Sequence, residues 1–208
     1  MKAYYHKDEI EAGVDEVARG CLAGPVFTSA VVWPKEIDPS DTNIIVNDSK
    51  KISRRKRLML KDYIEEYALD FSVSQIDSKT IDKLNIFNAT QKCMHDSLDK
   101  LNINLDHIIV DGDKFKPYKD KTNSIVPYTC VVKGDSEYVP IASASILAKV
   151  YHDQYIEKLC DENEELEVYD WRNNMCYGTQ KHIDAIKQNG ITDYHRKTFG
   201  ICNIWNIN

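Results

Sequence analysis

Gly13-Val14-Asp15-Glu16-Val17-Ala18-Arg19-Gly20 runs on through Leu22, Gly24 and Pro25 into the apolar segment Val26 to Trp33. Two adjacent carboxylates close a short apolar strand and meet an Ala-Arg-Gly turn. Negative charge is therefore concentrated where backbone can approach a ligand closely, an arrangement that suits a divalent cation facing a phosphate. Successive strand residues point to opposite faces, so Asp15 and Glu16 can share a site only at a bulge or a strand end. Gly20 and Gly24 make such a break cheap. Taken alone, an Asp-Glu pair is more commonly a solvated strand end, since acidic side chains mostly stay in water.

The 208 residues, 42% of them hydrophobic, suffice for one domain with a full core. The N-terminal Met-Lys-Ala-Tyr-Tyr-His-Lys-Asp carries no apolar signal segment, and no apolar run is long enough to span a bilayer. A soluble cytoplasmic protein without membrane contact is expected. The six cysteines (21, 93, 130, 160, 176, 202) form no C-x-x-C pair and read as reduced packing residues. A net charge of -6 argues against a uniformly basic nucleic-acid surface. The charge is unevenly distributed, however: Lys50, Lys51, Arg54, Arg55, Lys56 and Arg57 are clustered, Lys114 to Lys121 is a second basic segment, and Asp161 to Glu167 is acidic. One basic face on an acidic protein remains open.

Along the chain, strands are expected over about 9–16, 26–33, 69–76, 107–110 and 127–133. Ser53 is placed to cap a helix over about 54–68, and Ser78 to cap a short one. Longer helices are expected over about 86–101 and 141–160, and Thr179 starts one that ends at Asn189 with Gly190 in the C′ position. The segment 161–176 reads as irregular and acidic, and the tail 191–208 lacks strong periodicity. Strands alternating with helices predict an α/β fold, a mixed sheet covered by helices. Asp15, Glu16 and Asp111 fall at strand ends and Asp135 just beyond another. Carboxylates converging from separate segments repel one another unless hard cations hold them, and a pair of Mg²⁺ or Mn²⁺ ions is suited to phosphodiester hydrolysis.

Seven segments also carry a family likeness: residues 13–26, Asp48-Ser49-Lys50-Lys51-Ile52-Ser53, Ile109-Val110-Asp111-Gly112, residues 131–135 (Val-Val-Lys-Gly-Asp), 142–150 (Ala-Ser-Ala-Ser-Ile-Leu-Ala-Lys-Val), Tyr177-Gly178-Thr179 and residues 195–199 (His-Arg-Lys-Thr-Phe). In order and content they closely resemble ribonuclease HII. The resemblance implies a ribonuclease H-like fold over about 1–160 with a C-terminal helical segment over about 161–208. It also implies an endonuclease that cleaves RNA in RNA/DNA hybrids and cuts 5′ of ribonucleotides embedded in duplex DNA, leaving 3′-hydroxyl and 5′-phosphate ends.

Carried over position by position, the resemblance makes Asp15, Glu16, Asp111 and Asp135 the catalytic, metal-binding acids, with Asp113 the competitor for the third place. It assigns substrate contacts to Ala18, Arg19 and Gly20, whose family counterpart Gly-Arg-Gly senses the ribose 2′-hydroxyl, to Ser49, Lys50 and Lys51 on phosphates, and to Tyr177 on the adjoining sugar. Ala18 departs from the family's glycine, and its Cβ could block close approach or exclude a positive φ. Two alternatives follow: a nuclease active on hybrids only, and a catalytically weak hybrid-binding protein. Lys149 either contacts the nucleic-acid backbone or snorkels, and His195 and Arg196 either line the cleft or serve structure. With only 14 residues before Asp15, the extra N-terminal domain of the type HIII enzymes is not expected. The tail Gly200 to Asn208 lacks the sliding-clamp peptide Q-x-x-[IL]-x-x-F-F, so a monomer is expected.

Overall fold

In this computed structural model, which describes residues 1–35 and 52–205, β1 (Glu11–Val17) lies in the middle of a five-stranded sheet. Antiparallel ladders join it to β2 (Val26–Val32) and β2 to β3 (Asp70–Ile76). On its other side, parallel ladders join it to β4 (His107–Asp111) and β4 to β5 (Tyr128–Val131). The mixed sheet agrees with the α/β expectation. β4 is interior, as its unbroken apolar run requires. The segment holding Ser49, Lys50 and Lys51 lies outside the described residues.

Helices cover both faces. α1 (Arg54–Tyr67) starts at Ser53, whose hydroxyl accepts the Lys56 N–H at 3.3 Å. α2 (Ser78–Leu84) differs from expectation: its cap is Asp77, which accepts the Thr80 N–H at 2.7 Å, while Ser78 is the first helical residue and its hydroxyl donates to the Asp193 carbonyl. A carboxylate is the better acceptor for an open helix N-terminus, and it displaces the serine by one position.

α3 (Ile86–Asp99) lies across β2 and β3, bringing Met94 and Leu98 onto Ala12, Val14, Ala30, Ile108 and Val110. α4 (Val139–Glu162) crosses β1 and β2 on the opposite face and joins α1 in a cluster with Val31, Leu60, Ile64 and Leu147. Gly13 permits this crossing. A Cβ there would stand 2.2 Å from the Pro140 carbonyl carbon and 2.4 Å from the Ile141 nitrogen, so only glycine lets the start of α4 approach β1 so closely. The Lys2 carbonyl accepts the Val139 N–H at 2.9 Å and completes the N-terminus of α4.

The alternation of Leu69, Phe71 and Val73 with polar partners reads as the apolar side of a half-buried strand over 69–76. In β3 the buried residues are Ser72, Ser74 and Ile76, with Ser72 bonded to the Ser97 carbonyl on α3, while Phe71 and Val73 pack only partly against the α1 and α4 cluster. Small hydroxyl residues on that face let α3 sit close to the sheet; the Ser72 hydroxyl is bonded there, while the buried Ser74 hydroxyl has no hydrogen-bond partner among the described residues.

The acidic segment after α4 is helical rather than irregular, with a 3₁₀ stretch Glu164–Tyr169 and α5 (Trp171–Asn174). Arg172 bridges Asp161 and Glu167, which gives that negative run a counterion. α6 (Gln180–Asn189) has the expected Thr179 and Gly190 boundaries. The tail adds α7 (Gly200–Trp205). Leu166, Tyr169, Trp171, Cys176, Ile186 and Cys202 share one buried cluster with Ala18, Cys21 and Ala23, so the C-terminal segment packs directly under the turn that follows β1. All six cysteines are free, and all but the half-buried Cys130 are buried. Among the described residues no helix is long and apolar enough to cross a membrane.

Candidate active site

Asp15, Glu16, Asp111 and Asp135 line one cavity of about 570 Å³, together with Val17, Arg57, Ser145, Lys149 and Tyr177. β1 supplies the first pair, and of the two possibilities, a bulge or a strand end, it is the strand end: its register with β2 is unbroken from Ala12 opposite Val32 to Val17 opposite Phe27, where β1 stops. The break is one-sided. β4 pairs with β1 only as far as Val14, so beyond Val14 that flank of β1 is open and Glu16, of opposite parity to Asp15, still borders the cavity.

Asp111 is the last residue of β4 and has the parity of Ile109, which packs on the α4 side with Ile141. Asp135 lies in a 3₁₀ turn, Gly134–Ser136, beyond β5, and its N–H donates to Asp111 Oδ1 at 3.4 Å. Asp113 is exposed and is not among the residues that border the cavity, whereas Asp111 is.

Burial raises the Asp15 carboxyl well above its ordinary pKa, and the charges of Glu16 and Asp111 push it further. The Ser145 hydroxyl and the Glu16 N–H, the latter 2.7 Å from Asp15 Oδ1, oppose the rise without cancelling it. Asp111 is raised by burial and then by Asp135. Hard oxygen donors crowded until they resist ionisation are what a site for a hard divalent cation looks like before the ion enters. The donor set therefore fits Mg²⁺ or Mn²⁺.

Sequence reasoning did not single out Ser145 or Arg57. Ser145 had a signal: it stands four residues before Lys149, and four after Ile141, on the stripe of α4 that faces β1. Lys149 borders the cavity with its ammonium 2.8 Å from Asp153 and 5.9 Å from the centre of the Tyr177 ring. Arg57 donates to the Ile52 carbonyl at 3.0 Å, and one of its nitrogens lies 4.0 Å from Asp153. Burial pushes the Asp153 carboxyl up, but the hydrogen bond from His152 and the charge of Lys149 outweigh it and leave it below its usual value, so its carboxylate stays charged beside the Lys149 ammonium.

Ala18 takes the left-handed conformation at φ 70°, and its side chain is buried in the cluster with Cys21 and Ala23 at 2% exposure. The alanine therefore does not exclude a positive φ. It carries a strain of about 1–2 kcal/mol, offset by a buried methyl that is directed into the protein. Arg19 is exposed and pairs with Glu16 at 3.0 Å, and Gly20 has open space where a side chain would be.

His195 and Arg196 are buried and do not border the cavity. Arg196 Nε donates to the Gly24 carbonyl at 3.0 Å and its Nη1 to the Arg19 carbonyl at 2.9 Å, which fixes both ends of the turn after β1. Tyr177 is 38% exposed; its hydroxyl meets the Ala18 backbone and the Cys21 thiol, and burial moves it up to about 12, so it stays protonated. The Tyr177 carbonyl is held by His182 Nδ1 at 3.0 Å.

The model of the family Ribonuclease HII matches residues 12–202. The ribonuclease HII of Christiangramia forsetii is 44% identical over 199 residues, covering 96% of this chain and 94% of that one. The solved ribonuclease H2 of Pyrococcus horikoshii superposes with a TM-score of 0.76 at 23% identity, over 95% of this chain and 97% of that one. Bst-RNase HIII in complex with Mn²⁺ shares the fold with a TM-score of 0.71 at 18% identity, over 93% of this chain and 68% of its own. With a full-length family match and close relatives beside a cavity of four carboxylates, the chain belongs to the ribonuclease HII family of metal-dependent endonucleases.

Proposed function

We propose that this protein hydrolyses the phosphodiester on the 5′ side of a ribonucleotide, both in RNA/DNA hybrids and at single ribonucleotides embedded in duplex DNA, using two divalent ions held by Asp15, Glu16, Asp111 and Asp135. The observation that carries the reading is the meeting of four carboxylates from β1, the end of β4 and the turn after β5 in one cavity, with Asp15 and Asp111 both pushed toward protonation. Asp15, Glu16, Asp111 and Asp135 would hold Mg²⁺ or Mn²⁺, which would lower the pKa of a water so that it could lose a proton and attack phosphorus, and would offer positive charge to the departing oxygen. The P–O3′ bond breaks, leaving a 3′-hydroxyl on one fragment and a 5′-phosphate on the other.

The remaining residues position the substrate. The turn Ala18-Arg19-Gly20 follows directly on Val17, which borders the cavity, and is clamped by Arg196; its exposed residues Arg19 and Gly20 would offer backbone groups to a ribose 2′-hydroxyl. The Ala18 methyl is turned into the core, which favours retention of single-ribonucleotide cleavage over the hybrid-only alternative. The half-exposed Tyr177 ring presents a flat apolar face to the adjoining sugar, and Lys149 beside it offers a cation to a flanking phosphate. Ser49, Lys50 and Lys51 would extend the phosphate contacts. All four acids come from one chain, so the carboxylate set needs no second copy, which supports action as a monomer.

The test uses labelled duplex carrying one ribonucleotide beside a uniform RNA/DNA hybrid, incubated with Mg²⁺, Mn²⁺ or chelator. Metal-dependent cleavage of both is expected, with the cut 5′ of the ribonucleotide. Cleavage of the hybrid alone would reject the single-ribonucleotide reading, and cleavage that survives chelation would reject the metal mechanism. Asp111→Asn should keep hybrid binding while lowering turnover by about three orders of magnitude.

A further inference from the structure

A second group of metal-ligating side chains lies at the other end of β4. His107 begins that strand and Asp111 ends it, so the two positions are separated by about 13 Å at the usual strand rise. Around His107 the N-terminal segment folds back. The Glu9 N–H donates to the His6 carbonyl at 3.4 Å, closing a turn that sets the two side chains three residues apart on one side. The Glu11 carboxylate fixes that turn by accepting the Tyr5 and His6 N–H groups, each at 2.7 Å. One donor atom from each of His6, Glu9 and His107 lies within 4.8 Å of the others.

One ligand atom of this group has no hydrogen-bond partner among the described residues. Glu9 Oε2 is buried and makes no hydrogen bond. Its nearest basic neighbour, His107 Nδ1, is 3.7 Å away, beyond hydrogen-bond reach. His107 Nε2 is engaged by the Thr129 hydroxyl at 2.9 Å, which leaves Nδ1 directed at Glu9, as the outer partner of a metal-bound histidine does. The Tyr5 ring stacks on the buried His107 with planes 4° apart, and the exposed His6 ring meets it edge-on at 4.8 Å between centroids, so packing sets the orientation of the His107 imidazole. Two ligands of a tetrahedral zinc ion stand about 3.4 Å apart, close to the 3.7 Å already present. The exposed His6 has the freedom to close the rest of the gap.

We propose that His6, Glu9 and His107 form a structural site for a borderline divalent ion of the zinc class, distinct from the carboxylate cavity, with water completing its coordination. Two imidazoles and one carboxylate select Zn²⁺, Co²⁺ or Ni²⁺ over Mg²⁺, which prefers all-oxygen sites. The ion would tie the 6–9 turn to β4. The same N-terminal segment pairs through Lys2 with Glu137 and Val139, immediately after Asp135, so the site would stiffen the support of the 3₁₀ turn carrying that acid.

The experiment titrates the full chain with Zn²⁺ by calorimetry in excess Mg²⁺, which keeps the carboxylate cavity occupied, and repeats it with Co²⁺ under visible absorption. One Zn²⁺ per chain is expected, with a tetrahedral Co²⁺ band free of thiolate charge transfer. Thermal midpoint should rise by about 5 °C at hundredfold excess over the dissociation constant. His6→Ala, at an exposed position, and Glu9→Gln should each weaken Zn²⁺ by about a hundredfold and remove the thermal rise, while Mg²⁺-dependent cleavage in zinc-free buffer stays within about twofold. Unchanged Zn²⁺ affinity in both variants, a thiolate band, or no stoichiometric binding by the parent chain would overturn the site and leave the nuclease reading untouched.

Discussion

His195 Nε2 lies 3.2 Å from His182 Nε2, and the bonds around them require both rings to be neutral. His182 Nε2 accepts from the Trp171 indole and its Nδ1 faces the Tyr177 carbonyl, while His195 Nδ1 accepts the Thr192 N–H. The one proton between the rings therefore sits on His195. Burial, then the neighbouring His182, lower His195 to about 3, and burial lowers His182 as well.

Both histidines have folded pKa values below the unfolded value of about 6.5, so the unfolded chain takes up protons that the folded chain refuses. Stability contributed by this pair is complete above pH 6.5 and is lost as pH falls, at up to about 1.4 kcal/mol per pH unit for each ring. Urea midpoints between pH 7.5 and 5 should fall, and His195→Gln should flatten that decline while lowering the midpoint at pH 7.5. A variant with the parent slope would remove the pair from the acid response.

The acids should respond in the opposite sense. Asp15 has a folded pKa raised by burial and by Glu16, so the metal-free protein loses stability as pH rises through that value. Asp15→Asn should stabilise the chelator-treated protein at pH 7.5 by about 1 kcal/mol while abolishing cleavage. Mg²⁺ should raise the thermal midpoint of the parent and much less that of the variant. An equal rise in both would take Asp15 out of the ion site.

Ala18 places a β-carbon at φ 70° with its methyl in the core. Ala18→Gly relieves strain and loses a buried methyl, so its net effect on stability should stay within about 1 kcal/mol. The ratio of single-ribonucleotide to hybrid cleavage should change by less than about twofold. Ala18→Val should fold poorly, because a branched side chain is worse in that conformation. A large gain in single-ribonucleotide cleavage for the glycine variant would mean that the alanine does restrict recognition.

Gly13→Ala should destabilise the protein by about 3 kcal/mol, since the added carbon meets backbone of Pro140 and Ile141 rather than a movable side chain. A thermal midpoint lowered by about 10 °C is expected. Because α4 carries Ser145 and Lys149 to the cavity, cleavage should fall at temperatures where the variant is still folded. Full activity there would show that the approach of α4 to β1 does not set the site.

Elements governed by neighbours in sequence were legible from sequence. Ser53, Thr179 and Gly190 cap their helices because capping needs only a side chain or a backbone conformation within a few residues. The β4 strand was readable from its unbroken apolar run, and it delivers Asp111 at its end as expected. Short elements were harder: α7 has only six residues, too few for its periodicity to stand out, and Asp77 outcompeted Ser78 on charge.

By itself, the order of residues determined the alternation of strands and helices, the four acids as candidates, and the family likeness that joined them. Only the tertiary structure decided that Glu16 needs no bulge, that Asp111 and not Asp113 borders the cavity, that Ala18 bends left-handed with its methyl inward, and that Arg196 braces the turn from beneath. The physical reason is common to all four. Where a strand loses its neighbour, which face a side chain finds buried and which carbonyl a distant guanidinium can reach are set by contacts between segments far apart in the chain, and no local pattern encodes them.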